Sequence, residues 1–148
     1  MPTRGIEDAA KPIRDAWETI RHEYIQRSPG KYLVLTCVYR SPDEQLALFK
    51  QGRTLDSSGN WTIVDKSKVV TNVDGTKILG AHNYKPSRAI DVMVVDNQTG
   101  KPVWEESSYH CLLEIAKGVG LESGGGWKSI KDWPHIEVPD YKNYKENV

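Results

Sequence analysis

Gly80-Ala-His-Asn-Tyr-Lys-Pro-Ser-Arg-Ala-Ile-Asp-Val-Met-Val-Val95 sets a histidine and a carboxylate at the mouth of an apolar run. The run from Ala89 to Val95 reads as a central strand, ended by a turn from Asp96-Asn97 through Gly100. Asp91 is then a carboxylate in apolar surroundings, which is costly unless it is paired with a cation or an arginine. Arg88 is near enough in sequence to be that arginine. A second imidazole arrives in Asp132-Trp-Pro-His-Ile-Glu137. His82, Asp91 and His135 together would form a three-ligand shell for a zinc ion whose fourth position stays open to water.

The stretch from Trp133 to Val138 reads as a short strand, so His135 and Glu137 point to one face. Glu137 could therefore orient His135 by accepting its other N–H. Asp132, expected across a tight Trp-Pro turn from His135, is placed to take and return the proton of a zinc-activated water. Its plainer reading is a turn aspartate bonded to its own backbone. His22 and His110 read as ordinary helix residues.

The elements before this centre follow from periodicity and punctuation. Ile13, Ala16, Trp17, Ile20 and Tyr24 fall three and four apart, giving an amphipathic helix from Pro12 to about Gln26, stopped by Ser28-Pro29-Gly30. Tyr32 to Tyr39, rich in β-branched and aromatic residues, reads as a largely buried strand. Ser41, Pro42 and Glu44 form the capping box of a second helix that runs to Gln51 and stops at Gly52. Arg40 thus sits at a strand-to-helix junction, where it could project into a cleft and polarise a carbonyl. From spacing alone, a surface ion pair accounts for it as well.

Between Arg53 and Gly80, Ser57-Ser-Gly-Asn60 and Asp74-Gly75 bracket Trp61–Val64 and Val69–Val73, which predicts a short hairpin or irregular flap. A third helix is expected from Ser107 or Ser108 to Lys117, with Cys111, Leu112, Ile115 and Ala116 on or near one face. Ser123 to Gly126 reads as a flexible turn, and the polar tail from Asp140 to Val148 as a segment that frays.

Composition narrows the function classes. The 148 residues suffice for one core and not for two ordinary domains, so 1–148 is expected to be a single domain. Twenty basic and twenty acidic residues cancel and are dispersed, which argues against nucleic acid as a partner. No segment approaches the roughly 20 apolar residues of a membrane span, and no secretory leader is apparent. Cys37 and Cys111 lack a Cys-x-x-Cys spacing and read as buried free thiols.

These motifs resemble the zinc peptidases of the D-alanyl-D-alanine carboxypeptidase and L-alanyl-D-glutamate endopeptidase group, which includes many bacteriophage endolysins. Tyr39-Arg-Ser-Pro-Asp-Glu-Gln45 is similar to the family's arginine-bearing segment, Gln51-Gly-Arg-Thr54 to the turn after it, and Val69-Val-Thr-Asn72 to the approach to the first ligand. Ala89-Ile-Asp91 matches its Ala-x-Asp, and Asp132, His135 and Glu137 match its closing acid-x-x-His-x-Glu, with Trp127 as the preceding tryptophan. The resemblance implies a small α+β domain with a central antiparallel sheet flanked by helices, as in hedgehog domains and DD-peptidases. It also implies zinc on His82, Asp91 and His135, Asp132 as general base, and Arg40 as carbonyl partner.

Three departures accompany the resemblance. Gly80 stands where many members have serine, and the His82-to-Asp91 spacing is longer than usual, with Lys85-Pro86 as the expected bulge. An aspartate base leans towards the endolysin branch. The function so implied is hydrolysis of the L-Ala-D-Glu bond of the peptidoglycan stem peptide by a monomer. It would be made in the host cytoplasm and reach the wall after a separate permeabilising protein acts. The alternatives are a D,D-carboxypeptidase or D-Ala-D-Ala dipeptidase and, against Asp132 and Arg40, a zinc-bearing binding module.

Overall fold

A computed structural model describes residues 1–128 and 131–146. Its spine is an antiparallel sheet in the order β1 (Lys31–Cys37), β4 (Ala89–Asp96), β7 (Asp132–Glu137), β6 (Glu122–Gly124), with β5 (Pro102–Val103) also pairing β4. Helices α1 (Lys11–Arg27) and α3 (Cys111–Gly118) cover one face. Alternation along β4 sends Ile90, Val92 and Val94 into that layer, where they meet Leu33, Ile136 and the helices' apolar stripes. Asp91 points to the opposite face. The α+β class with a central antiparallel sheet and flanking helices is as expected.

Local chemistry explains the helices. α1 buries Ile13, Ala16, Trp17, Ile20 and Tyr24, and carries Pro12 in its first turn where no N–H is missed. α2 (Pro42–Phe49) is closed at its start by reciprocal bonds: Glu44 N–H donates to Ser41 Oγ at 3.1 Å and Ser41 N–H to Glu44 Oε1 at 2.9 Å. A 3₁₀ turn, Glu106–Tyr109, precedes α3, which buries Leu112, Ile115 and Ala116, while Cys111 is only half-buried.

Several expectations need correction. β1 is a sheet edge rather than a largely buried strand: only Leu33 and Cys37 are fully buried along it. The hairpin pairs β2 (Arg53–Leu55) with β3 (Trp61–Ile63), and Val69–Val73 stays outside any strand. The turn expected from Ser123 to Gly126 is present, closed by Gly126 N–H donating to Ser123 O at 3.1 Å, but its first two residues also end strand β6 (Glu122–Gly124). Its glycines are dictated by close approach, since a Cβ on Gly124 would lie 2.2 Å from Asp132 O and one on Gly125 2.1 Å from the Trp133 ring. Asp132 itself begins β7, so no Trp-Pro turn separates it from His135.

The tail docks rather than frays as far as residue 146; residues 147 and 148 lie outside the described residues. Tyr141 and Tyr144 pack against the core cluster. Glu146 accepts from the Lys11 backbone N–H at 3.2 Å, which places a carboxylate at the positive end of α1.

Candidate metal centre

Register across three strands builds the site. Cys37 on β1, Asp91 on β4 and His135 on β7 stand directly opposite one another, and facing residues of antiparallel strands share a face. A bulge between Leu35 and Cys37 sets Cys37, rather than Thr36, opposite Asp91. His82 enters from the 3₁₀ turn Ala81–Asn83. That turn is tied to the β1–α2 junction: Arg40 N–H donates to His82 O at 2.9 Å, and Asn83 Nδ2 to Arg40 O at 2.9 Å.

The longer His82-to-Asp91 connection does not disturb this register. Lys85 is exposed at its tip, and Ser87 is locked again by donating to Asp8 O at 2.8 Å and accepting from Ala10 N–H at 2.7 Å. Gly80 is accommodated rather than merely substituted, because a Cβ there would sit 3.2 Å from Asn83 Oδ1 and 3.3 Å from Val73 Cγ1.

Hydrogen bonding assigns the imidazole tautomers. His82 Nδ1 lies 2.8 Å from the Val38 carbonyl, an acceptor, so Nδ1 carries the proton. His135 Nε2 lies 2.7 Å from Glu137 Oε1 and donates to it. Both remaining nitrogens then turn lone pairs on one atom: Asp91 Oδ1 is 3.2 Å from His82 Nε2 and 3.1 Å from His135 Nδ1. Three acceptors facing one another in a buried place need a cation or protons between them. His82 Nε2 accordingly has no hydrogen-bond partner among the described residues.

The electrostatics agree. Burial disfavours the charged form of each histidine, but the Asp91 carboxylate outweighs it and holds both pKa values above the ordinary imidazole range. Burial likewise disfavours an ionised Asp91, yet the two imidazoles hold its pKa well below the usual carboxylate range. Two edges of the set, 3.1 and 3.2 Å to Asp91 Oδ1, are close to the edge, about 3.3 Å, of a tetrahedron with bonds of about 2.0 Å, while His82 and His135 fall in different close groups of ligand-capable atoms. Ligand-capable atoms of Cys37, His82 and Asp91 lie within 4.8 Å of one another, as do those of Asp91, Asp132 and His135, so Asp91 is common to both groups.

The other expected residues surround this point. Asp132 lies 4.0 Å from His135 Nδ1 with its carboxylate 46% exposed on the rim. Burial, then the nearby Asp91 charge, push its pKa up. Arg40 Nη2 is 3.7 Å from Asp91 Oδ2, so the arginine is both in an ion pair and at the cleft. Arg88 is not that partner: it donates to Tyr141 O and stacks on Tyr84, 3.7 Å from the ring centroid. Trp127 covers the His135 ring, 4.9 Å between centroids. His22 contacts Gln26, and His110 lies against Trp133 outside the cleft.

Two residues went unassigned in the sequence reading. Cys37 appeared there only as a buried thiol, although its Sγ is 3.6 Å from His82 Nδ1. Gln45, 4% exposed, holds Arg40. For Cys37 no local signal exists, because the bulge and the cross-strand register create its position. The cleft above the centre has a volume of about 730 Å³ and is walled by the extended stretch Val69–Val73 on one side and by Trp127, Lys131 and Tyr141 on another.

Comparison with known proteins bears on this geometry. Residues 74–138 match the family model described as D-alanyl-D-alanine carboxypeptidase. The chain is 38% identical over 120 residues to the peptidoglycan L-alanyl-D-glutamate endopeptidase CwlK of Bacillus subtilis, a match covering 74% of this chain and 62% of that one. The chain thus spans less than two thirds of that curated relative. Its fold is similar to the crystal structure of the L-Ala D-Glu endopeptidase ChiX of Serratia marcescens, with TM-score 0.55 and 19% identity over 92% of this chain and 86% of that one. The segment matched by the family model, under half of the chain, carries His82, Asp91, Asp132, His135 and Glu137, and over that segment the chain is similar to the family so described.

Proposed function

We propose that this chain is a zinc-dependent peptidoglycan endopeptidase that hydrolyses the L-Ala-D-Glu bond of the stem peptide. The observation that carries the reading is the convergence of two buried imidazole lone pairs on Asp91 at the floor of an open cleft. The name of the Bacillus subtilis relative supports the choice of bond.

His82, Asp91 and His135 would hold the ion, and Glu137 keeps the His135 tautomer that leaves Nδ1 free. Zinc bound there would supply Lewis acidity, bringing the pKa of a bound water towards neutrality. Asp132, on the rim of the cleft 4.0 Å from His135 Nδ1, takes the proton of the attacking water and returns it to the leaving amine. Arg40, the fixed cation of the cleft, binds the scissile carbonyl and stabilises the oxyanion that develops on it.

The setting we propose is bacteriophage-mediated host lysis. The chain acts as a monomeric endolysin that reaches the wall from the cytoplasm once a separate protein has permeabilised the membrane. A second reading, release of terminal D-alanine, is favoured by the description of the matched family model. Digestion of purified peptidoglycan, followed by mass spectrometry, separates the two. New N-termini on D-Glu support the endopeptidase, whereas free D-alanine with intact L-Ala-D-Glu bonds would replace it with the second reading.

A further inference from the structure

The residue that sets the position of Arg40 is buried beneath it. Arg40 Nη1 donates to Gln45 Oε1 at 3.1 Å, while Nη2 remains directed at Asp91 Oδ2. The other end of the same carboxamide faces the cleft wall: Gln45 Nε2 donates to Val73 O at 3.0 Å and lies 3.4 Å from Thr71 Oγ1. Thr71 Oγ1 in turn accepts from Val73 N–H at 3.1 Å. One side chain therefore joins the cationic group of the site to the extended stretch that walls the cleft.

The surroundings fix the carboxamide from below. Gln45 sits in the first turns of α2, whose start is held by the Ser41–Glu44 capping box, and its own N–H donates to Ser41 O at 2.9 Å. Gly75, at φ +79°, passes so close that a Cβ there would meet Gln45 Cβ at 2.6 Å and Cγ at 2.7 Å. The glutamine stem is clamped between the helix and the chain returning from the flap. Only a group that accepts at one end and donates at the other satisfies both neighbours. A carboxylate would attract the guanidinium and repel the Val73 carbonyl, and an apolar side chain would leave that part-buried carbonyl without its donor.

We propose that Gln45 is a positioning residue for the reaction. It holds the Arg40 guanidinium where the substrate carbonyl arrives and couples that placement to the Thr71–Val73 wall, against which the peptide lies. The proposal rests on the endopeptidase reading for its kinetic consequence, but not for its structural one. Small displacements of a reacting group are costly to turnover, so the loss is expected mainly in kcat.

Two measurements on the zinc-loaded full chain test it, using Gln45→Met, and Gln45→Glu as a second variant of similar size. The first is NMR of the ¹⁵N-labelled arginine side chains. Arg40 should show separate, slowly exchanging Nη–H signals that collapse or shift in Gln45→Met, with the other arginines unchanged. An unchanged Arg40 signal set overturns the proposal whatever the protein's activity. The second is a double-mutant cycle on a defined stem peptide. Gln45→Met should lower kcat by about tenfold in the native background and by less than twofold when Arg40 is already alanine. Equal losses in both backgrounds would mean that Gln45 serves the fold generally, and would overturn the proposal. A wild-type chain that leaves the L-Ala-D-Glu bond intact refutes the endopeptidase reading instead, and the NMR result still decides the role of Gln45.

Discussion

Asp91 and His135 face one another across β4 and β7, with Asp91 Oδ1 3.1 Å from His135 Nδ1, and the far side of the imidazole is spoken for by Glu137 Oε1 at 2.7 Å. Removing the outer partner should loosen the inner contact. Glu137→Ala is expected to weaken zinc binding about 10- to 100-fold, read by competition with a chromophoric chelator. Unchanged affinity would mean that Glu137 does not orient this ligand.

Asp132 lies 4.0 Å from His135 Nδ1, farther than Asp91, and is nearly half exposed. Asp132→Ala should retain zinc at the wild-type stoichiometry and lose about 10²- to 10⁴-fold in kcat, the range attached to a positioned base. A variant that still cleaves at the wild-type rate removes the base assignment.

At the proposed zinc site metal and protons would compete for the same nitrogens, which fixes the sign of a pH effect. In the metal-free chain the histidine pKa values are raised by Asp91. Their stabilising contribution is therefore complete below the unfolded value of about 6.5 and is lost as pH rises through the folded values. Zinc requires the neutral forms. The gain in Tm on adding zinc should accordingly grow between about pH 5.5 and pH 8, as followed by thermal unfolding with and without chelator. A gain that is flat or shrinks over that interval would be inconsistent with histidine ligation.

The glycines beside β7 offer a test of the sheet itself. Gly125→Ala places a methyl group against the Trp133 ring, where the ideal Cβ position is 2.1 Å from Cε3. Overpacking of this kind costs about 1–3 kcal/mol, measurable by urea unfolding. A neutral substitution would show that the Trp133 contact is looser than described.

Legibility in the sequence followed the range of the interactions. The Ser41–Glu44 capping box, the α1 stripe from Ile13 to Tyr24 and strand β4 depend on neighbours a few residues away, and all are readable as pattern. The pairing of Gly124 with Asp132, the docking of Glu146 on α1 and the placing of Cys37 beside His82 join segments distant along the chain, and no local periodicity encodes them. The same division runs through the site. His82, Asp91, Asp132, His135 and Glu137 stand in recognisable motifs, and Gln45 closes the Tyr39–Gln45 segment, but the partners at the two ends of its carboxamide are set by the fold.

The central claim is that His82, Asp91 and His135 hold a zinc ion. Anomalous diffraction at the zinc edge from crystals of the zinc-loaded chain tests it most directly. A single strong peak about 2.0–2.2 Å from His82 Nε2, an Asp91 carboxylate oxygen and His135 Nδ1 is the expected result. A peak on other residues, or none at this position in crystals containing stoichiometric zinc, would contradict the assignment.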